Sequence, residues 1–393
     1  MCDDPSPSSR RERLSEVAWL AVVLGVTAFG GPAAHIAMLR NEVVVRRQWL
    51  TDRQFLDLIG VTNLIPGPNS TEMVMHVGHE RAGRRGLVIA GVGFIAPAAA
   101  VTLAFAWLYV RYGTTPTGAW LLYGVKPVVI AIVAQALWSL GRTALTSARE
   151  AVIAGAAFVM YLLGFNELAL LFGGGAIAIL LRGLSRLRRS ADRVTFSLTP
   201  GLFAPSALLS LAAKSPDVAY SATRLFLTFL KIGAVLYGSG YVLLAFLRND
   251  FVNRYGWLTD QQLLDAVAVG QVTPGPVFST ATFIGYLVGG SSGAILATVA
   301  IFLPSFCFVA AVNPLVHRLR GHAGLSLMLD GINAAALGLM AAVTLQLGRD
   351  AIVDLTSVLL VLAAAAILLR FRVNSAWIVL AGAAVGLVRQ LLT

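Results

Sequence analysis

The stretch NLIPGPNSTE, residues 63–72, lies inside a long apolar region and should break any helix that carries it. Proline removes a backbone donor and clashes with the preceding turn, and glycine weakens a helix entropically. GQVTPGPVFST at 270–280 repeats the same Pro-Gly-Pro break. Each break follows a WLTD-x-Q stretch, where Thr51 with Gln54 and Thr259 with Gln262 have the spacing of a capping box. Helices are therefore expected to begin near Asp52 and Asp260. The 14 residues from Asp52 to Ile65 reach about 21 Å, too short for a bilayer core of roughly 30 Å. The expectation is a re-entrant hairpin. A helix dives in, stops at Pro66-Gly67-Pro68, and a short helix carries Asn69 to His79 back out.

Unpaired backbone donors at such a start cannot stay empty in hydrocarbon, so they face protein or an anion. Two breaks at symmetric positions, each followed by hydroxyls, favour a binding site over a packed kink. Asn63, Gly67, Asn69, Ser70 and Thr71 are thus candidate substrate-binding residues. Gln271, Gly275, Ser279 and Thr280 are their second-half counterparts, and Pro66, Pro68, Pro274 and Pro276 are the helix breaks. Further breaks stand in AFGGPAAH (Gly30, Gly31) and LYGSGYV (Gly238, Gly240), where unwinding beside a hairpin tip competes with close helix packing.

Composition sets the class. Of 393 residues, 57% are hydrophobic and 12% charged, the mean hydropathy is +0.78, and apolar runs such as Leu87 to Val110 recur. That reads as a polytopic membrane protein. The net charge of +11 sits in short loops, where it sets topology and does not bind nucleic acid. No small-residue cleavage site closes the first apolar run, so no cleaved signal peptide is expected. Cys2 and Cys307 suggest neither a disulfide nor a metal site, and no cofactor is called for.

The chain repeats itself. With an offset of 208, residues 40–68 match 248–276 at fifteen of 29 positions. The expected division is a first repeat at 17–183, a basic linker at 184–224 and a second repeat at 225–391. Loops 40–53, 80–86, 142–150 and 182–193 carry four, three, two and five Lys or Arg, against two, none, one and one in their counterparts. Equivalent loops thus read as opposite faces and the halves as inverted. The expected fold is all-α, with about five transmembrane helices per half plus a re-entrant broken-helix hairpin. The first crossing is placed at 17–39 and both termini on the outer face, which leaves the basic RRER at 10–13 on an unfavourable side.

The motifs FGGP, WLTDRQFLDL, LIPGPNSTEMVMHVG, FLKIGAVLYGSGYV and QVTPGPVFSTATFIGYL resemble the two-domain chromate ion transporters, across both repeats. The resemblance implies export of chromate, an oxyanion analogue of sulfate, across the bacterial inner membrane, and resistance to chromate. Sulfate is the alternative substrate, and a homodimer is among the open oligomeric states. A dianion leaving a negative-inside cell gains about 4.6 kcal/mol per 100 mV, two charges at about 2.3 each.

Ionisable residues within apolar segments are functional candidates. Lys231 and Lys126, whose counterpart is Asn333, are each placed to attract a dianion, with Lys231 preferred. Glu72 and His76 are the proton-coupling candidates: a proton returning on the empty site would couple the two movements, as in an antiporter. A carboxylate near the start of the short helix can also serve as a cap. Glu72, His76 and Glu80 share a helix face, but no fourth metal ligand is evident. The rival class is an intramembrane lipid pyrophosphate phosphatase, disfavoured because no arginine follows Ser70 or Ser279.

Overall fold

The computed structural model describes residues 9–29, 31–190, 219–237, 242–313, 323–371 and 373–392, and among them the secondary structure is helical, with no strand. The first half comprises α1 (Arg10–Thr27), α2 (Gly31–Arg40, extended by a π-helical turn Asn41–Arg46) and α3 (Asp52–Thr62). It continues with α4 (Asn69–Tyr112), α5 (Pro116–Ala144), α6 (Ala148–Leu162) and α7 (Glu167–Ser190). The second half repeats the order as α8 (Ala222–Val235), α9 (Leu243–Leu247, extended by Arg248–Arg254), α10 (Asp260–Val272) and α11 (Thr280–Val312). It ends with α12 (Ala323–Ala351), α13 (Leu355–Arg370) and α14 (Ser375–Leu392). The expected breaks at Gly30, Gly238 and Gly240, and most of the basic linker, lie outside the described residues.

Both capping boxes form. Thr51 and Gln54, and likewise Thr259 and Gln262, satisfy each other's backbone donors, so α3 and α10 begin at Asp52 and Asp260. Both returning helices then fold back sharply. Within α4 the chain turns at Ala82-Gly83, where Gly83 has φ 66°, and within α11 at Gly289-Gly290, where Gly290 has φ 63°. The arms on either side pack antiparallel: Gly78 faces Gly86 and Ala90, and Gly285 faces Gly293 and Ala297. Residues 69–81 therefore return to the face from which α3 entered, and 84–112 crosses.

The first segment departs from expectation. Residues 17–39 are not one crossing, because α1 ends at Thr27 and α2 returns to the starting face. Glu16 near the start of α1 pairs with Arg81 (2.8 Å), and Trp49, beyond α2, lies 5.0 Å under the Arg81 guanidinium. The second half does the same, with Tyr220 before α8 against both Trp257 and Gly289. Each half thus has two hairpins side by side. The basic RRER consequently shares a face with the arginines at 81, 84 and 85 rather than opposing them. The termini also separate, since α14 ends on the other face. There Arg389 joins Tyr123 and Asp354, the N-cap of α13. The Ser357 amide, Tyr123 and Arg389 hold the Asp354 carboxyl well below the usual carboxylate range.

The halves run in opposite senses. A Cβ on Gly141 would stand 3.6 Å from Leu337, and one on Gly348 would stand 3.7 Å from Ile130, so the equivalent helices α5 and α12 are antiparallel. Packing is also exchanged: α5 packs on α13 and α14, and α12 on α6 and α7. The hairpins form a second body in which α1 lies on α4, α8 on α11, and α4 on α11.

In a background with Cys2 and Cys307 replaced by serine, a cysteine at Arg10 should react with an impermeant thiol reagent from the same face as one at Gly83. One at Gly290 should react from the opposite face. Labelling of Arg10→Cys together with Gly290→Cys would restore the single first crossing.

Candidate functional site

The four helix breaks converge. The Gly67 N–H, at the first Pro-Gly-Pro tip, donates to the Leu236 carbonyl at the end of α8 (2.8 Å). The Gly275 N–H, at the second tip, donates to the Ala28 carbonyl at the end of α1 (2.9 Å). Both bonds follow the offset of 208, so each hairpin tip closes the broken helix of the other half. Both glycines need positive φ, 141° at Gly67 and 88° at Gly275, where a side chain would be strained. A Cβ at Gly67 would also overlap Glu72 Oε1 and Ser305 Oγ, and one at Gly275 would lie 2.7 Å from Ala98 Cβ.

A cavity of about 790 Å³ opens beside the tips, walled by both halves. Pro68, Asn69 and Ser70 border it from the first hairpin, Val277 and Phe278 from the start of the second returning helix. Asn63 lies next to them, accepting a hydrogen bond from Asn69 Nδ2 (2.8 Å). The opposite wall is α5, with Gln135, Ser139 and Thr143, and α12, with Asp330 and Asn333. Pro68, rather than Asn69 or Ser70, is the N-cap of α4, and no side chain caps it. Its carbonyl accepts from the amides of Thr71 (2.8 Å) and Glu72 (3.1 Å). The N–H groups of Asn69 and Ser70 are left at the cavity wall without a partner among the described residues. Such a start carries about half a positive charge. Among the described residues no lysine or arginine lines the cavity. What remains is a wall of amide, hydroxyl and backbone donors, the equipment for an oxyanion, with one carboxyl, that of Asp330 on α12, among them.

A model of the chromate transporter family matches residues 15–179 and again 223–387. The chain belongs to the chromate transporter family. It is 33% identical over 368 residues to the chromate transport protein of Cupriavidus metallidurans, covering 93% of this chain and 90% of that one. It is 34% identical over 331 residues to the chromate transport protein of Pseudomonas aeruginosa, covering 83% and 79%. A probable chromate transport protein of Synechococcus elongatus is 29% identical over 350 residues, covering 88% of each. No solved structure matches the chain. The protein is a multi-pass bacterial membrane protein: among the described residues five helical elements are long and apolar enough to cross a bilayer.

The remaining candidates divide around the transporter's tips. Thr71, Glu72 and His76 are buried behind the short helix, not on the cavity wall. Among the described residues no backbone amide donates to either Glu72 oxygen, so this carboxyl does not cap the helix. It faces Ser305 of α11 beside Gly67, with Tyr237 close by, and His76 one turn along faces Asn313. Ser279 is buried with its hydroxyl unpartnered among the described residues, and Thr280 Oγ1 donates to the Val277 carbonyl (2.8 Å). Gln271 and Thr280 border a separate pocket of about 10 Å³.

Neither candidate lysine reaches the cavity. Lys231 is paired with Asp250 and stands 4.0 Å from Glu167, which also accepts from Asn249 (2.6 Å). Lys126 donates to Gln261 and stands 3.6 Å from Asp265, whose other oxygen accepts from Tyr109 (2.9 Å). Sequence reading considered each ammonium alone and did not see the carboxylates brought to it by distant elements. It also missed Ser305, Gln135 and Ser139, whose residue types carry no signal in an apolar helix, and Asn333, visible only as the partner position of Lys126.

Gly67→Ala should cost about 1–3 kcal/mol through positive φ alone, lowering the unfolding midpoint in detergent and reducing transport. Gly60→Ala, on the same hairpin with nothing within 4 Å of its Cβ, should leave the midpoint unchanged or raise it. Equal midpoints for the two variants would contradict the crowded tip.

Proposed function

We propose that the chain is a secondary transporter that exports chromate from the bacterial cytoplasm and thereby confers resistance, with sulfate as a competing substrate. The observation that supports this best is the cavity between the halves, where two helix starts and neutral donors meet without a basic side chain. A tetrahedral dianion matches that donor set, and the absence of a fixed cation keeps it from binding too tightly to leave. Sulfate has the same charge and shape, so this wall separates the two only by size and hydrogen-bond reach.

Topology follows from charge. The face that carries RRER, 40–53, 80–86 and 142–150 is the arginine-rich one and is assigned to the cytoplasm. The cavity mouth, with exposed Thr143 and Thr146 at the end of α5, opens on that face. The described conformation is therefore inward-facing, ready to load a cytoplasmic anion. Export runs down the membrane potential, by about 4.6 kcal/mol per 100 mV for a dianion. Glu72 is the protonatable group, buried among Ser305 and the tip at the crossing of the four breaks.

Everted vesicles energised by respiration should take up labelled chromate. Sulfate should compete, and an ionophore that collapses the potential should slow uptake. Uptake indifferent to the potential would remove the export reading.

Glu72→Gln should retain chromate binding while its transport loses dependence on pH. A Gln variant with the parent's pH profile would take Glu72 out of the coupling scheme and leave His76 as the group to test.

A further inference from the structure

The internal two-fold has one conspicuous exception. The cavity beside the first hairpin measures about 790 Å³, whereas its counterpart beside the second measures about 10 Å³. Val133, Leu243, Leu247, Val267 and Gln271 fill the second space. Two polar bridges hold it shut, and both join the hairpin body to the exchanged helices. On α5, Lys126 binds Gln261 and Asp265 of α10. From the turn after α9, Arg248 donates to Asp260 at the start of α10 (2.7 Å) and to Gln346 of α12 (2.6 Å).

The equivalents on the open side cannot make these bridges. With the repeat offset of 207 in this region, Lys126 corresponds to Asn333 and Gln346 to Ser139, and both of these line the open cavity. Arg40, the counterpart of Arg248, keeps its pairing with Asp52, and the position equivalent to Gln346 holds a serine too short to reach as a glutamine does. The two groups that α5 and α12 extend to the second hairpin, Lys126 and Gln346, are thus replaced on the open side by the shorter Asn333 and Ser139.

We propose that Lys126, Gln261 and Asp265, together with Arg248 and Gln346, form a latch on a second vestibule. That vestibule is lined by Val267 and Gln271 and opens on the face opposite the present cavity. With the latch engaged the second hairpin is held on α5 and α12 and the first stands open. Release of the latch lets the hairpin body tilt, closing the first vestibule and exposing the second to discharge the anion. Lys126 acts here on conformation and not on the substrate. The proposal rests on the reading of the open cavity as the substrate vestibule.

The test uses the full chain with Cys2 and Cys307 replaced by serine and one reporter cysteine at a time, Ser139→Cys or Val267→Cys. Reaction with an impermeant maleimide is followed in right-side-out and everted vesicles. With the latch intact, Ser139→Cys should react from the arginine-rich face and be protected by chromate, while Val267→Cys stays unreactive. If Ser139→Cys is unreactive or unprotected, the vestibule reading itself fails, whatever the latch does. Adding Lys126→Met should raise labelling of Val267→Cys from the opposite face at least about fivefold and lower that of Ser139→Cys, the size of a typical coupling between sites. Gln346→Ala should shift both reporters in the same directions should the lysine variant fail to fold, and Lys126→Arg should keep the parent pattern. Arg389→Gln, which cuts the bridge to Tyr123 and Asp354 within the exchanged helices, should move neither reporter. The latch is refuted if Val267→Cys stays unreactive in Lys126→Met or Gln346→Ala, or if both reporters become more reactive together.

Discussion

Two hydrogen bonds set the terms for the rest of this molecule: Gly67 N–H to the Leu236 carbonyl and Gly275 N–H to the Ala28 carbonyl. A helix broken at membrane depth exposes donors and acceptors that hydrocarbon cannot satisfy. Here each half breaks two helices, and each break supplies what the break in the other half lacks. Neither half can complete its own tips, which explains why the repeats interlock and why helices are exchanged between them. The glycines follow from the same constraint. Only a residue without Cβ adopts the positive φ that turns the N–H toward the partner carbonyl while leaving room for Glu72, Ser305 or Ala98.

The donors left over at this crossing account for the proposed anion site. Thr71 and Glu72 give their amides to the Pro68 carbonyl, so those of Asn69 and Ser70 are the ones presented to the cavity. A wall of this kind offers charge as aligned dipoles, not as an ammonium. The lysines that look like anion ligands in the sequence are instead paired with Asp250 and Asp265. A buried ammonium left unpaired would be costly in an apolar surround, and pairing it elsewhere keeps lysine off the wall of the proposed substrate cavity.

Much of this was legible in the chain. The capping boxes located the starts of α3 and α10, the Pro-Gly-Pro breaks located the tips, the duplicated motifs implied two halves, and the uneven Lys and Arg of equivalent loops implied their opposite sense. The length argument worked for α3 because its run is too short to cross. It misled for residues 17–39, where two arms end to end have the length and apolarity of one crossing, and only the glycine break hints otherwise. The misplacement of RRER was a symptom of that error, since folding the segment back brings those arginines to the basic face. Contacts between halves were illegible for a different reason. Ser305 beside Glu72 and Asp265 beside Lys126 depend on distances across the two-fold, and no local pattern encodes them.

The two Pro-Gly-Pro tips, far apart in sequence, are proposed to wall a single substrate cavity. Cysteines at Ser70 and Val277, one from each returning helix and both bordering that cavity, test it directly in the cysteine-replaced chain. A short bifunctional thiol reagent should join them, giving a cross-linked peptide that spans the two repeats in mass spectra, and chromate should protect against the reaction. Modification of both cysteines without a cross-link, or a cross-link indifferent to chromate, would contradict it.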